Sequence, residues 1–331
     1  MSIFFKKIKR IIKNLSKSFK ADCNFSFYFS VLNFLGEFFR IIKIKSLSLK
    51  LSNISNNWIS DYLKKNLNSI IEKHSANYTI GEFQINAPIW ICWWDGEANA
   101  PSLVRQCIKS TRKNAGNHPV YFIDKDSYSD FLEIPEYILN KVKNKIIGLA
   151  NFSDYLRFSL LAKYGGVWLD STVFTASAIP ESYFELPLFT CKSKTIECGY
   201  VSKMRWTSFV IGGWKDNALF NFFKEAWEFY WINHNVAIDY LLVDHLINIF
   251  YTENTNVREL MDNIPINNIH RDDLQAAMNA NISKNKFHKI LNNDTILYKL
   301  SWRETYSSKT PDGEQSIYDF FIKSDLSSLC L

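Results

Sequence analysis

The sequence predicts an α/β fold in which helices flank a sheet with parallel members, and three observations carry that prediction. Strand-sized apolar runs stand at Ile89 to Trp94, Val120 to Ile123 and Val167 to Leu169. Each is too short for a helix and is bounded by polar or glycine punctuation. Segments with helical periodicity separate them, so the order is strand, helix, strand, and such crossovers join parallel strands. Ligands of sheets like this gather at the carboxyl ends of the strands.

The elements follow in order. In the opening segment Phe4, Ile8, Ile11, Ile12, Leu15 and Phe19 recur at steps of three and four, with lysines mostly between them. This is a basic amphipathic helix. It can lie in an anionic membrane surface, or pack on the domain with a solvated basic face. Phe25 to Ile44 is apolar but broken by Asn33, Glu37 and Arg40, too interrupted to span a bilayer. Between Ser46 and Ala87 the text is polar and Asn-rich, with a helix expected from Trp58 to His74. Three parts result: residues 1–45 as a helical arm, 46–87 as a connector with a helix, and 88–331 as the α/β domain.

Within that domain Ile89 to Trp94 is the first strand, and Pro101 opens a helix as an N1 proline does. Val120 to Ile123 is the second strand, ending in Asp124, and "IPEYILNKV" is helical. A helix is expected from Asp154 to Tyr164, with Gly165-Gly166 as its glycine stop before the strand Val167 to Leu169. Phe209 to Ile211 is a further strand, Ala218 to Trp231 a helix, "AIDYLLVDHLINIFY" another, and "TILYKLSWRETY" a strand running into a loop. "HRDDLQAAMN" superficially echoes a kinase catalytic loop, but no glycine-rich phosphate loop or D-F-G segment accompanies it.

Composition narrows the function classes. The hydrophobic and charged shares, 47% and 22%, are those of a globular protein. The net charge of +6 concentrates in the first twenty positions, where Lys6, Lys7, Lys9, Arg10, Lys13, Lys17 and Lys20 meet no acid. A nucleic-acid reader carries its basic surface on the folded domain, so nucleic acid is not an expected partner. Cys23, Cys92, Cys107, Cys191, Cys198 and Cys330 show no paired spacing and are expected to be reduced thiols, not a zinc site. Lysines interrupt the segment where a secretory signal would need an apolar stretch, which predicts a cytoplasmic protein, peripheral on the cytoplasmic face of the membrane.

The chemistry concentrates in "FSDYLRFSLLAKYGGVWLDSTV". Asp154 and Arg157, three apart on a helix, share a face, and Trp168 and Asp170 leave their strand on the same side. An acid, an arginine and an indole are thereby drawn toward one strand end. Taken singly, each residue is accounted for by a helix pair or a turn cap; taken together they describe a pocket.

This segment resembles the signature of bacterial capsular polysaccharide synthesis proteins, a branch of the sugar transferases that share a DXD motif and resemble the glucosyltransferase domains of large clostridial toxins. "IWICWWDGEANAPSLVRQCIKSTRKN" is similar to the family's first strand and loop, "VYFIDKDSY" to its second, and "YKLSW" to its closing segment, so that the likeness runs from about Pro88 to Trp302. It implies a GT-A-type nucleotide-sugar transferase fold with a mixed, mostly parallel central sheet and an added N-terminal helical arm. The implied activity is retaining glycosyl transfer from a nucleotide-diphosphate sugar, by default a UDP-sugar. The acceptor would be a lipid-linked or polymeric glycan at the inner membrane surface.

By position, Trp93 would stack on the donor base, Asp154 and Arg157 grip sugar hydroxyls, and Trp168 lie beside the ribose or sugar. Asp170 opens the DXD motif, and Ser301 and Trp302 match a loop that closes on the diphosphate. The metal ligands implied are Asp170, Thr172 and Ser301, with Mn2+ or Mg2+ as the cation. The sequence departs from the pattern at Thr172, where the wider superfamily has the acid that binds metal most directly, and strict metal dependence does not follow. Breaking the anomeric carbon–phosphate bond places extra negative charge on the diphosphate, which metal, Arg157 or Lys299 can offset. Asp239, Asp244 or the leaving phosphate can take the acceptor's proton. The rival readings are a non-catalytic, membrane-associated carbohydrate-binding scaffold on the same fold, and a nucleotidyltransferase; the latter lacks its phosphate loop.

Overall fold

The computed structural model describes the backbone of residues 2–282 and 284–325, and the side chains of 11–282 and 287–325. Cys330 and the side chains of Phe4 and Ile8 lie outside the described residues. Three helices lead: α1 (Ser2–Asp22), α2 (Phe27–Ile41) and α3 (Lys45–Ala76). Then come β1 (Ile89–Cys92), α4 (Ser102–Asn114), β2 (Val120–Ile123), α5 (Glu136–Lys143), α6 (Leu149–Tyr164), β3 (Gly166–Leu169) and β4 (Val173–Thr175). The chain continues through α7 (Ser182–Glu185), β5 (Leu188–Thr190), β6 (Val210–Gly213), α8 (Ala218–Asn233) and α9 (Leu242–Glu253). It ends with α10 (Thr255–Asn263), α11 (Asp273–Ala277), α12 (Lys284–Leu291), β7 (Leu297–Lys299) and α13 (Ile317–Lys323).

The central sheet has the order β2-β1-β3-β6-β5. β1 is parallel to β2 and β3, and β6 is antiparallel to both β3 and β5, so β6 alone runs against the rest. The architecture is therefore the mixed, mostly parallel α/β sheet with added N-terminal helices that the sequence predicts. Side-chain alternation builds a core on each face. Trp90, Trp168 and Ile211 join the helices α3, α6, α8 and α9, while Ile89, Ile91, Val167, Leu169 and Val210 join α4, α11, α13 and the β4–β7 pair.

Helix α3 is longer than the expected Trp58–His74. Ile59, Leu63, Leu67, Ile70 and Ile71 are buried along one stripe against α8 and α9, which leaves the asparagines and lysines to solvent. Its first half carries little periodicity and is held by α2, where Ser48 Oγ donates to Gly36 O at 3.1 Å. On α1 the half-buried stripe Ile11, Leu15 and Phe19 faces α2, and the Phe19 ring meets Phe27 and Phe34 at 6.1 and 6.0 Å.

Three boundaries differ from expectation in ways that matter for the site. Pro101 is the residue before α4, not its first turn. Helix α6 starts at Leu149 instead of Asp154, which places Asp154 and Arg157 inside the helix, where they are rigidly held. Helix α9 begins only at Leu242, because Asp239 Oδ1 accepts from Leu241 N at 2.6 Å and holds the preceding residues in a turn.

The turn from α6 into β3 depends on Gly166. Its φ is +91°, and a Cβ there would lie 2.0 Å from Pro88 O, so a side chain would separate β3 from the segment entering β1. After β3, Val173 N donates to Asp170 O at 2.8 Å, and this tight turn delivers the chain into β4. There β4 pairs antiparallel with β7, with Val173 opposite Lys299. The pairing sets the carboxyl end of β3 against the closing segment of the chain.

Candidate active site

A cleft of about 610 Å3 opens at the carboxyl ends of β1 and β3. That size suits a nucleotide-sized ligand. Its walls come from the segment after β1 (Trp93, Trp94, Asp95), from α6 (Asp154, Arg157), from the turn after β3 (Asp170, Ser171, Thr172), and from β7 and the loop beyond (Lys299, Ser301, Trp302, Arg303).

Arg157 organises the floor. Its guanidinium donates through Nη1 to Asp154 Oδ1 at 2.7 Å and through Nη2 to Asp170 Oδ1 at 2.9 Å. Beneath it lies the Trp168 indole, with the guanidinium carbon 5.0 Å from the ring centroid. Trp168 Nε1 donates to the same Asp170 oxygen at 2.9 Å. The other carboxylate oxygen, Oδ2, receives Lys299 Nζ at 2.7 Å, and Nζ also bonds Thr172 Oγ1 at 2.8 Å. Acids and bases thus alternate through Asp154, Arg157, Asp170 and Lys299.

The mouth is aromatic. Trp93 and Trp302 meet edge to face with centroids 5.4 Å apart, and Trp302 is 42% exposed. The loop that carries Trp302 is pinned at its base. Ser301 N donates to Gln275 Oε1 at 2.7 Å, and Tyr306 OH bonds both that oxygen and Ser301 O.

A family model described as capsular polysaccharide synthesis protein matches residues 40–321. The chain belongs to that family. A search of curated proteins found no match. Membership supports a role in capsule polysaccharide biosynthesis.

Electrostatics separate the two acids that bond Arg157. Burial pushes the Asp154 carboxyl up to about 7, the Asp170 charge adds to the rise, and Arg157 offsets only part of it. Burial also acts on Asp170, but Lys299 and Arg157 outweigh it and hold that carboxyl below its ordinary range. Near neutral pH Asp170 is therefore a carboxylate, while Asp154 stands at its titration point and can hold or release a proton.

Of the residues the sequence singled out, Trp93, Asp154, Arg157, Asp170, Thr172, Lys299, Ser301 and Trp302 all line the one cleft. Two do not. Trp168 is 1% exposed and supports Arg157 and Asp170 from below, so it has no surface for a sugar or ribose. Asp239 lines a separate cavity with Asn33, Ser55 and His245, beneath α2 and α3. Asp244, the other acid considered as a base, is buried on α9 and accepts from Trp206 Nε1 at 3.0 Å. Asp95, Tyr240 and Arg303 line the cleft without having been singled out. Arg303 adjoins the recognised segment "YKLSW" and Asp95 lies inside "IWICWWDGEANAPSLVRQCIKSTRKN", and those positions were their signal; Tyr240 had none.

The implied metal ligands bring oxygens, the donor type of a hard divalent cation, which is often held by one or two carboxylates with waters and substrate phosphates. Asp170 brings the one carboxylate among them, and both its oxygens already meet N–H donors of Arg157, Trp168 and Lys299. Thr172 shares the Lys299 ammonium, and Ser301 Oγ accepts from Arg303 N at 3.3 Å. Among the described residues no group of three or more His, Cys, Asp or Glu is arranged to hold a metal ion.

Proposed function

We propose that this family member is a retaining glycosyltransferase that moves a sugar from a nucleotide-diphosphate sugar, by default a UDP-sugar, to a growing capsular or other cell-surface glycan. The observation that carries the reading is the convergence of Trp93, Asp154, Arg157, Asp170 and Lys299 on one cleft at the strand ends. Each group has a part in the transfer. Trp93 and Trp302 offer ring faces to the base. Asp154, fixed by Arg157, accepts hydrogen bonds from hydroxyls of the donor sugar. Lys299, Arg157 and Arg303 face the diphosphate, whose negative charge grows as the anomeric C–O bond breaks and the electron pair leaves with the phosphate. The acceptor hydroxyl oxygen bonds the anomeric carbon on the face the diphosphate vacates, and its proton passes to a leaving phosphate oxygen. Two cations lower the proton affinity of Asp170 and both its oxygens meet N–H donors, while Asp239 stands outside the cleft, so neither serves as the base.

The acceptor is a lipid-linked or polymeric glycan, and the chain meets it at the inner membrane surface. Support comes from α2, which presents Phe27, Tyr28, Phe34, Leu35, Phe38 and Ile41 partly or largely to solvent, with Lys17, Lys20, Lys43 and Lys45 nearby in the chain. Apolar rings with adjoining basic residues suit an anionic lipid interface. Among the described residues no helix is long and apolar enough to cross a membrane.

The test is release of nucleoside diphosphate from a panel of UDP-, GDP- and dTDP-sugars by the purified chain, with and without manganese. Release from at least one donor is expected. Release from none turns the reading to a carbohydrate-binding scaffold that keeps the fold without the reaction.

A further inference from the structure

We infer that the Lys299 ammonium does the work of a divalent cation in this cleft, neutralising the donor diphosphate so that donor binding needs no metal. The inference rests on the nucleotide-sugar reading above and concerns the position where the DXD pattern departs at Thr172.

The lysine is built into that position by the backbone. The β4–β7 pairing sets Lys299 opposite Val173, Leu300 N donates to Thr172 O at 2.9 Å, and Lys299 N donates to Arg271 O at 2.8 Å. From this anchor Nζ reaches both side chains at which the sequence pattern would seat a cation, at 2.7 Å from Asp170 Oδ2 and 2.8 Å from Thr172 Oγ1. The Phe209 ring, with its centroid 5.0 Å from Nζ, adds an aromatic face to the cradle. An ammonium has three N–H donors, so bonds to Asp170 and Thr172 leave one for a phosphate oxygen. Threonine suits this arrangement better than aspartate, because a hydroxyl accepts from the ammonium without adding a charge that would hold it back from the phosphate. A divalent ion reaching Asp170 would have to displace a fixed positive charge and would sit against Arg157 as well. Arg303 on the same wall brings the cleft to three cationic side chains, enough to face a diphosphate.

The test is calorimetric binding of UDP, GDP and dTDP to the full chain in EDTA and again in excess manganese or magnesium. The expected result is that whichever diphosphate binds does so with the same affinity in EDTA as in either metal. Lys299→Met is expected to weaken it about 10- to 100-fold in both conditions, the loss of one charge-assisted hydrogen bond. Lys299→Arg keeps part of the affinity, and circular dichroism of both variants checks that they fold. Lys299→Asp, which sets a second carboxylate beside Asp170, is expected to make binding manganese-dependent. Binding that is lost in EDTA in the native chain, or is indifferent to Lys299→Met, overturns the inference and leaves the nucleotide-sugar reading standing. Failure of all three diphosphates to bind in every condition overturns both.

Discussion

Replacing Asp170 by asparagine tests the charged chain at the floor of the cleft. The carboxylate receives Arg157 Nη2 and Trp168 Nε1 on one oxygen and Lys299 Nζ on the other. Asparagine keeps an oxygen for the indole but withdraws the charge that two cations share. Breaking a buried ion pair by removing one partner costs about 3–5 kcal/mol, since the remaining charge is left unmatched. The Asp170 and Lys299 side chains keep 27% and 26% exposure, so water softens the loss and puts it near the lower end, about 3 kcal/mol. For 331 residues an unfolding entropy of about 2.1 cal/mol/K per residue gives about 0.7 kcal/mol/K, and the melting midpoint falls by about 4 °C. Arg157 is spared the worst of it. Without the Asp170 charge one cause of the raised Asp154 carboxyl is gone, so that carboxyl shifts down from about 7 and pairs more strongly with the guanidinium. Lys299 is the group left unpaired, so Asp170→Asn combined with Lys299→Met is expected to melt above Asp170→Asn alone. Thermal melts followed by circular dichroism at neutral pH and low salt read both effects, and donor turnover is expected to be lost in either variant. A single variant that melts within about 1 °C of the native chain, or a double variant that melts below the single, refutes the coupling.

The remaining predictions follow from other parts of the molecule. Trp93→Ala removes a ring face at the cleft mouth and is expected to weaken uridine nucleotide binding by about 1–3 kcal/mol, read by calorimetry. An unchanged dissociation constant places the base elsewhere. Gly166→Ala forces a Cβ onto Pro88 O at a backbone angle alanine rarely adopts, and is expected to give insoluble protein; soluble protein of native melting point contradicts the close approach of β3 and the β1 entry. Burial raises the Asp154 and Asp244 carboxyls to about 7 and about 6, so the folded chain binds their protons more tightly than the unfolded chain does. Their contribution to stability is complete below the unfolded value near 3.8 and is lost as pH rises through about 6 to 7. Urea midpoints across that window are expected to fall with rising pH, and Asp154→Asn to flatten the upper part of the fall. An equal slope in the variant assigns the effect to other groups. Phe38→Asp, on an exposed face of α2, is expected to weaken binding to anionic vesicles about tenfold or more while leaving donor hydrolysis unchanged. Equal vesicle binding removes α2 from the membrane reading.

How much of this was legible in the sequence differs between fold and site for a physical reason. The strands β1 and β3 declared themselves because buried strands of a mostly parallel sheet need short continuous apolar runs, as in "IWIC" and "VWL", and the edge strand β2 shows the same kind of run in "VYFI" although only Ile123 is buried there. Helix α3 was only half visible. Its second half packs on α8 and α9 through a regular apolar stripe, whereas its first half is held by α2 through contacts that small polar residues such as Ser48 supply, and no periodicity records those. The early start of α6 was hidden for a similar reason. Asn151 and Phe152 are both buried there, so the helix has no polar face to set its phase.

At the site, residue types spoke for themselves wherever chemistry and local geometry coincide. Asp154 and Arg157 share a helix face by spacing alone, and Asp170 follows Trp168 on one side of a strand by alternation. The same alternation gives the direction of Trp168 but not its depth. An indole on the face that carries α6 is covered by that helix, and it serves the cleft by holding Arg157 and Asp170 in place. Lys299 shows the opposite limit. It stands 129 positions from Asp170, and the bond between them exists because β4 and β7 pair in one register out of several. A shift of that pairing by one residue would turn Lys299 to the other face of the ladder and put Tyr298 or Leu300 opposite Val173 in its place. The register is protected by the apolar side chains between. Leu297, Tyr298 and Leu300 are buried in the same core as Val173 and Phe174, so misplacing the lysine would cost several buried side chains at once. The cation at the strand end is thus secured by the hydrophobic core of the second sheet, which no local reading of "YKLSW" can reveal.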